Sequence, residues 1–317
     1  MRTRKGRDVM QIREAPPASD IKPGDWVDRL LPSGMRPYAR LARLDRPIGI
    51  WLLMFPCWWG AALASPAYPS PWFLLLFALG ATVMRAAGCV MNDIADRDFD
   101  ARVARTANRP IASGVISVHR ALAFMAALSL VGLLVLVQFN RFTVLLAAAS
   151  LILVALYPFT KRVTDWPQAV LGLTFNWGAL VGWSAVTGGL ALPAILLYAA
   201  GFFWTLGYDT IYAHQDKTDD AIIGVRSTAL RFGNRTRSWL AGFYSLAILL
   251  FAAAGGSAGG LGWPFAAGIL AVAIHFAWQT ATLDTEDAQG CLARFRANRH
   301  VGLLVFVAIV AGRFLHG

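Results

Sequence analysis

Long uncharged segments dominate the chain, and short charged segments separate them. The uncharged segments are 47–84, 121–140, 142–160, 166–208 and 238–283. Each approaches or exceeds the roughly 20 residues that a helix needs to cross a bilayer. The three longest contain Gly- and Pro-rich breaks near their middles, which indicates that each folds as a helical hairpin.

This pattern predicts an all-α, polytopic membrane protein with nine transmembrane helices. The ninth is shorter and contains Arg313 near its end, where a long side chain can reach the interface. The predicted spans are 48–65, 71–91, 120–139, 142–160, 166–187, 192–212, 238–256, 263–282 and 300–315.

Composition and charge support the same class. Of the 317 residues, 57% are hydrophobic and 15% are charged, whereas soluble domains carry about 25% charged residues. All of the 29 Lys and Arg lie on one side of the nine spans, except Arg85, Arg141 and Arg313. We call this side, formed by the N-terminal segment and the loops after spans 2, 4, 6 and 8, the charged face. By the positive-inside rule it is cytoplasmic, together with the N-terminus.

The acidic residues require a separate explanation. All 18 also lie on the charged face, although Asp and Glu contribute little to topology. We therefore expect chemistry at this face. The net charge of +11 is explained by topology and by anionic lipid, so we expect membrane lipid and no nucleic acid as partners.

Residues 1–37 lack a sustained apolar face and are expected to form a mobile cytosolic arm, followed by a membrane domain over 38–317. The arm is rich in Arg, but Asp8, Glu14 and Asp20 argue against a mitochondrial transit peptide. The sequence therefore favours the bacterial inner (plasma) membrane over the mitochondrial inner membrane.

The first acidic stretch, RAAGCVMNDIADRDFDARVARTANRPIASG, runs from 85 to 114. If the helix of span 2 continues, Asn92, Asp96 and Asp100 share one face, with Asp93 close by. Such oxygen ligands without His or Cys suit Mg²⁺, which often shares a substrate phosphate. The alternative is a solvated loop in which the carboxylates pair with neighbouring arginines.

A second stretch favours the metal interpretation. Asp209, Asp216 and Asp220 follow span 6 at spacings that again predict one helical face. Two facing stripes can hold two Mg²⁺ ions that a single diphosphate bridges. Arg85 lies inside span 2 on the face of Asn92, and we favour a role beside the diphosphate over a purely structural ion pair.

These motifs resemble those of the UbiA superfamily of intramembrane prenyltransferases. NDIADRDFD (92–100) is similar to its first acidic motif and DKTDD (216–220) to its second. The resemblance runs from about Tyr38 to the C-terminus and is strongest to the 4-hydroxybenzoate polyprenyltransferase branch. Further segments that carry it are LDRPIG (44–49), RTANRPIASG (105–114), YPFTKR (157–162), GYDTIYAHQD (207–216) and IGVRSTALRFG (223–233).

The resemblance implies a nine-helix bundle with a central cavity capped by cytoplasmic loops. It implies a Mg²⁺-dependent enzyme of ubiquinone biosynthesis that joins a polyprenyl diphosphate to 4-hydroxybenzoate, at the ring carbon ortho to the hydroxyl. Carried over by position, the ligands of one metal are Asn92, Asp96 and Asp100, and those of the other are Asp216 and Asp220. Whether Asp93 and Asp219 bind metal or orient neighbouring groups stays open.

Further roles follow from this chemistry. Asp216 or Asp209 could accept the phenolic proton, and Arg162 or Arg46 could hold the benzoate carboxylate. The cations expected around the leaving diphosphate are Arg85, Arg105, Arg109, Lys161 and Arg162. The alternatives are a family member with another acceptor, such as haem, a menaquinone precursor or chlorophyllide, and a metal or phosphate transporter. A transporter would be expected to carry its charges near the bilayer midplane.

Overall fold

The apolar segments form long helices that begin and end close to their predicted limits. The computed structural model describes residues 19–21, 23–103 and 105–316, and over these residues the protein is all-α, as predicted. A short 3₁₀ helix, Gly233–Arg235, precedes α12. The α-helices are α1 (Trp26–Leu30), α2 (Arg36–Leu41), α3 (Ile48–Ala64), α4 (Pro71–Ala95), α5 (Arg97–Asp100), α6 (Val118–Leu136), α7 (Arg141–Val163), α8 (Pro167–Thr187), α9 (Leu192–Ala213), α10 (Lys217–Ile223), α11 (Thr228–Phe232), α12 (Thr236–Ser257), α13 (Gly262–Ala281) and α14 (Ala288–His316).

Among the described residues, eight helices are long and apolar enough to cross a membrane, and α3 is a shorter apolar helix of 17 residues. The predicted count of nine spans therefore depends on α3 and is not established by length. The last helix is longer than expected, because α14 starts at Ala288 and not near residue 300. Arg313 on α14 donates a hydrogen bond to the Leu63 carbonyl at the end of α3, so it binds protein and does not only reach toward the interface.

The N-terminal segment is folded where it is described. Residues 1–18 of the expected arm lie outside the described residues. Beyond them, Asp25 caps α1 by accepting hydrogen bonds from the backbone amides of Val27 and Asp28. The proposed boundary between residues 37 and 38 falls inside α2, so the division into arm and membrane domain stays a prediction.

The centre of the bundle is formed by α3, α8, α9 and α12. Trp59, Trp204 and Phe251 are fully buried there, and the Trp59 ring contacts the rings of both Trp204 and Phe251. The polar edge of each indole is paired: Trp59 Nε1 donates to the Gly302 carbonyl at 2.8 Å, and Trp204 Nε1 donates to Asn298 Oδ1 at 2.8 Å. Because both of these indole N–H groups are hydrogen-bonded and both rings are buried, the two tryptophans fix how the central helices pack.

Glycines allow α3 and α8 to pack backbone against backbone. A Cβ atom on Gly182 would overlap the carbonyl oxygen of Cys57, and one on Gly60 would overlap that of Ala179. Small residues at a helix crossing let membrane helices approach closely, so that dispersion contacts can stabilise the pair. The α3–α8 pair is therefore the rigid centre of the bundle.

Gly182→Ala is expected to destabilise the protein by about 1–3 kcal/mol, because its clash is with backbone that cannot turn away. The measurement is the midpoint of thermal unfolding in detergent. Gly242→Ala is the matched control: Gly242 is exposed on α12 and a Cβ there meets no atom within 4 Å. An unchanged midpoint for Gly182→Ala would show that the two helices can separate at no cost.

The peripheral helices α6 and α7 expose apolar side chains to the surroundings. Leu130 and Leu134 on α6, and Leu145 and Ile152 on α7, are all more than half exposed. Apolar area of this extent on long uncharged helices is typical of a lipid-facing surface. The charged loops lie together at one end of this bundle and form the candidate site.

Candidate functional site

The first acidic motif follows a helix that is interrupted once. α4 ends at Ala95, Asp96 has φ −100° and ψ 6°, and α5 begins at Arg97. The backbone nevertheless keeps the four-residue spacing, because the Asp96 amide donates to the Asn92 carbonyl and the Asp100 amide to the Asp96 carbonyl, each at 2.8 Å. The helix does not continue without interruption, which was the condition of the expected spacing, but Asn92, Asp96 and Asp100 stay one turn apart.

The second motif departs further from a continuous helix. α9 ends at Ala213, a turn follows, and Asp216 precedes the first residue of α10. The Asp220 amide donates to the Asp216 carbonyl at 2.8 Å, so these two residues are one turn apart. Asp209 lies within α9, on the far side of the turn. The single stripe that we expected for the three residues is therefore divided between two helices.

Two arginines from the loop after α5 join the two motifs. Arg109 Nη1 lies 2.9 Å from Asp100 Oδ2 in the first motif. Arg105 Nη2 lies 2.8 Å from Asp216 Oδ2 in the second motif. Both arginines also approach Asp20. The structure thus brings both motifs to one place on the charged face, as predicted, through ion pairs that the sequence did not specify.

Asp93 is a buried partner for arginines. Its carboxylate is 2% exposed, and its Oδ1 accepts from Arg43 Nη2 at 2.6 Å and from Arg109 Nη1 at 3.4 Å. Arg43 has a φ of 57°, which is rare for a residue other than Gly and is often found where geometry serves a site. Asp93 therefore orients two guanidinium groups, which is one of the two roles that the sequence left open.

The cations at the end of α7 contact the first motif. Lys161 Nζ lies 2.5 Å from Asp96 Oδ2, and Arg162 Nη2 lies 3.7 Å from Asp96 Oδ1. Arg162 is half-exposed and also packs over the Phe99 ring at 5.5 Å. The Arg226 amide donates to the Lys161 carbonyl at 3.1 Å, so the loop after α10 helps to hold Lys161 in place.

Arg85 lies deeper than the other cations. Within the described residues, its guanidinium contacts the Phe175 ring at 5.4 Å and does not form an ion pair. It also lies against Gly49, the last residue of LDRPIG, where a Cβ atom would overlap the Arg85 side chain unless that side chain moved. Asp209 is half-buried on α9, close enough for the charge of Arg85 to act on it. These two groups form a second level below the acidic motifs.

The cluster is strongly shielded from water. Burial raises the pKa of the Asp100 carboxyl, although Arg109 opposes that shift. Burial alone would lower the pKa of Arg109, but Asp100, Asp93 and Asp20 raise it above its ordinary value. A buried ion pair of this kind mainly compensates the cost of burying each charge. A substrate anion could therefore replace a carboxylate on an arginine, and a metal cation could replace an arginine on a carboxylate.

The residues present fit a hard metal ion, although the carboxylates here are held by cations. Asp96 Oδ1 is buried without a hydrogen-bond donor, and Asp96 and Asn92 line a cavity of about 80 Å³ together with Tyr157, Thr160 and Lys161. All candidate ligands are carboxylate or amide oxygens, which Mg²⁺ prefers. Among the residues that the structure describes, the acidic side chains are held apart by these cations, and no three acidic, His or Cys side chains lie close enough together to hold a metal ion by themselves.

Three residues that contribute to the site were not among the site residues predicted from the sequence. Asp20 and Arg43 lie in the N-terminal segment, and Tyr157 lines the cavity at the end of α7. The segments LDRPIG and YPFTKR adjoin or include Arg43 and Tyr157, so short motifs could have indicated both. Nothing near Asp20 in the sequence marks it.

Residues 53–309 match the family model described as the UbiA prenyltransferase family. The chain is 46% identical over 312 residues to the mitochondrial 4-hydroxybenzoate polyprenyltransferase of Arabidopsis thaliana, covering 98% of this chain and 76% of that protein. It is 49% identical over 284 residues to the Homo sapiens protein of the same name, covering 89% of this chain and 76% of that protein.

Solved structures share the fold. The apo structure of a UbiA homolog from Aeropyrum pernix K1 has a TM-score of 0.67 at 26% identity, covering 84% of this chain and 97% of that chain. A UbiA homolog from Archaeoglobus fulgidus, bound to GPP and Mg²⁺, has a TM-score of 0.64 at 20% identity, covering 87% and 99%. The second likeness concerns the fold alone.

The relatives contradict the expected location. We expected a bacterial inner membrane with a cytoplasmic N-terminus, whereas the relatives at 46% and 49% identity are named as mitochondrial. The acidic residues of the N-terminal segment argued only against a cleavable transit peptide, and that argument does not identify the membrane that holds the bundle. The long apolar helices still support a membrane protein.

Proposed function

The chain belongs to the UbiA prenyltransferase family, and we propose that it transfers a polyprenyl group from polyprenyl diphosphate to 4-hydroxybenzoate. The new bond forms at the ring carbon ortho to the hydroxyl, in ubiquinone biosynthesis. The observation that carries this proposal is the pair of acidic motifs joined by Arg105 and Arg109. Relatives at 46–50% identity that carry the name 4-hydroxybenzoate polyprenyltransferase support the choice of acceptor.

The two motifs would hold Mg²⁺, with Asn92, Asp96 and Asp100 on one side and Asp216 and Asp220 on the other. Their carboxylate and amide oxygens suit this ion, and Asp96 Oδ1 is buried without a hydrogen-bond donor, so it can act as a ligand. When bound, Mg²⁺ stabilises the negative charge that develops on the leaving diphosphate.

Arginine and lysine side chains supply the rest of that stabilisation. Arg105, Arg109 and Lys161 each hold a motif carboxylate by an ion pair, and each can turn to a phosphate oxygen when the carboxylate takes another partner. Preorganised donors of this kind can lower a barrier by several kcal/mol, roughly 3–4 for a single strong donor. Arg85 and Arg162 complete the proposed set from below the motifs and from the charged face.

The allylic fragment would react below the motifs, where water is scarce. Phe175, Tyr157 and Tyr208 line or approach this level, and their rings can stabilise positive charge on the prenyl carbon. A dry site matters because water would convert the reactive fragment to an alcohol. The long apolar chain can remain in lipid beside the exposed helices α6 and α7.

The acceptor requires a base and an anchor. Asp209 and Asp216 are the proposed proton acceptors for the phenol; Asp216 is engaged by Arg105, whereas Asp209 lies on α9 near the aromatic level. Arg162 and Arg46 are the proposed anchors for the benzoate carboxylate, since a guanidinium can bind a carboxylate through two parallel hydrogen bonds.

The concentration of charge at one end of the bundle argues against a transporter. Asp96, Asp100 and Asp216 lie at the ends of helices or in loops, and not in broken helices at the bilayer midplane. Arg85 in α4 and Asp209 in α9 lie further from the ends of their helices, one level below these residues.

An acceptor screen tests the proposed function. The purified chain in lipid nanodiscs is expected to convert 4-hydroxybenzoate and a polyprenyl diphosphate, with Mg²⁺, into a product heavier by one prenyl group. Fragmentation should locate that group on the ring and not on the phenol oxygen. Homogentisate and 1,4-dihydroxy-2-naphthoate serve as competing acceptors, and faster conversion of either would contradict the assignment.

A further inference from the structure

Asp20 lies at the centre of the arginine cluster on the charged face. Its Oδ2 lies 3.1 Å from Arg46 Nη1 and 3.1 Å from both Nε and Nη2 of Arg109, and Arg105 Nη1 is 3.9 Å away. The side chain is 7% exposed. A single carboxylate oxygen therefore meets three guanidinium groups that come from two distant parts of the chain.

This contact is incomplete for a carboxylate. The three arginines converge on Oδ2, and Oδ1 is buried without a hydrogen-bond donor. A structural Arg–carboxylate pair usually uses both oxygens in a bidentate arrangement. Burial alone would raise the pKa of Asp20, but Arg109, Arg46, Arg43 and Arg105 outweigh it and keep the pKa below its ordinary value. The ionised Asp20 carboxylate thus occupies a site between Arg46, Arg105 and Arg109. An anion with more oxygens than a carboxylate, such as a diphosphate, could contact all three guanidinium groups.

Asp20 differs from Asp100 and Asp216, although Arg109 also pairs with Asp93 and Arg46 also pairs with Asp45. Asp100 and Asp216 belong to the two acidic motifs, so each has a proposed metal ion to bind when its arginine turns away. Asp20 belongs to neither motif and would be left beside the incoming negative charge. Like charges at this distance in a shielded site repel strongly, so Asp20 and a diphosphate cannot both hold Arg105 and Arg109.

We propose that Asp20 is an internal competitor of the substrate diphosphate: its carboxylate occupies the arginine site in the resting enzyme and withdraws with the N-terminal segment when the diphosphate binds. This inference rests on the proposed function. The competing group is the diphosphate and not the benzoate carboxylate, because Arg105 and Arg109 both also contact the acidic motifs.

Beyond the Asp20 carboxylate, the segment is held by backbone hydrogen bonds of Asp20 and by the buried side chain of Ile21. The Asp20 amide donates to the Arg105 carbonyl at 3.0 Å, and Arg46 Nη1 donates to the Asp20 carbonyl at 2.6 Å. Further along the chain, α1 is held by the ion pair between Asp28 and Arg40. A tethered group of this kind competes at an effective concentration on the order of millimolar, which lowers the apparent affinity of a free anion.

Asp20→Asn removes the charge and keeps the shape. It is expected to lower KM for the polyprenyl diphosphate and the apparent Kd of pyrophosphate by about three- to tenfold, without lowering kcat, because the competent state no longer has to displace an internal anion. Asp28→Asn is the matched control from the same segment, since Asp28 pairs with Arg40 outside the cluster. Its KM and Kd should not change.

Three results would overturn the proposal. A higher KM or a lower kcat in Asp20→Asn would show that Asp20 positions the arginines for catalysis. An unchanged KM would show that Asp20 does not compete. A fall confined to the KM for 4-hydroxybenzoate would assign the contact to the other substrate.

Hydrogen exchange of the unmodified protein provides a second test that needs no variant. Magnesium pyrophosphate is expected to speed amide exchange over residues 20–31 at least about threefold, because it displaces Asp20 and breaks the bond from its amide. Equal or slower exchange on saturation would contradict the withdrawal. If pyrophosphate binds neither the wild type nor Asp20→Asn, the proposed diphosphate site itself fails, which is a distinguishable outcome.

Discussion

Asp96→Ala is expected to lower kcat/KM for prenyl transfer by on the order of 10³, because it removes a proposed metal ligand and the partner of Lys161 together. Asp96 Oδ2 accepts a hydrogen bond from the Lys161 ammonium at 2.5 Å, and Arg162 lies near Asp96 Oδ1. Asp96 also lines the cavity together with Asn92. Losing it leaves those cations without their anion and the cavity without its buried oxygen. Asp216→Ala should have a similar effect, since Arg105 joins Asp216 to the rest of the cluster. The measurement is the initial rate of product formation under saturating Mg²⁺.

Asp98→Ala is the matched control for both variants. Asp98 is two residues from Asp96, but its side chain is 78% exposed and pairs with Arg97 on the surface. Its replacement should leave the rate within about twofold, because exposed ion pairs contribute little. Both motif variants should still insert and unfold at the wild-type temperature to within a few degrees. A wild-type rate in Asp96→Ala or Asp216→Ala would remove that residue from the site.

Removing divalent metal with EDTA is expected to lower prenyl transfer at least about a hundredfold, and excess Mg²⁺ should restore it. In the described structure the motif carboxylates neutralise the cations that would otherwise receive the diphosphate: Asp96 holds Lys161, Asp100 holds Arg109 and Asp216 holds Arg105. If the carboxylates of Asp96, Asp100 and Asp216 held Mg²⁺, then Lys161, Arg109 and Arg105 would be free to bind the diphosphate. Chelation should therefore weaken the binding of pyrophosphate as well as the reaction, which isothermal titration can measure.

The control for chelation is EDTA already saturated with Mg²⁺, which should leave the rate unchanged. A more specific test uses Asp96→Asn, which keeps one oxygen ligand but removes the charge. Its half-saturating Mg²⁺ concentration should rise by about ten- to a hundredfold, whereas that of Asp98→Asn should not move. A full rate that persists in excess chelator would contradict the metal site.

The helices and the two motifs were predictable because their causes are local. An uncharged run long enough to cross a bilayer has few alternatives to a helix, since each backbone amide must find a partner inside the segment. For the same reason the limits of α3, α8 and α9 fell within a few residues of those predicted. The four-residue spacing of Asn92, Asp96 and Asp100 survived the break at Asp96, because each turn is closed by its own backbone hydrogen bond.

The breaks themselves were not predictable from spacing. A repeat of four or seven residues fits a continuous helix, but it does not report the turn between Ala213 and Asp216. Consequently Asp209 was grouped with Asp216 and Asp220, whereas the structure sets it deeper, within reach of the charge of Arg85. The turn separates Asp209, a proposed proton acceptor, from Asp216 and Asp220, the proposed metal ligands.

The sequence by itself determined the class of this protein: apolar length specified a helical membrane bundle, charge asymmetry specified a single reactive face, and two acidic motifs specified a diphosphate chemistry. Only the tertiary structure decided which charges meet. Arg43 pairs with Asp93, which is 50 residues away in the sequence, and Arg105 pairs with Asp216, which is 111 residues away. Asp20 joins the same cluster from a segment in which no motif was recognised. Local patterns cannot encode such pairs, because an ion pair is set by distance in space, and that distance exists only after the helices have packed.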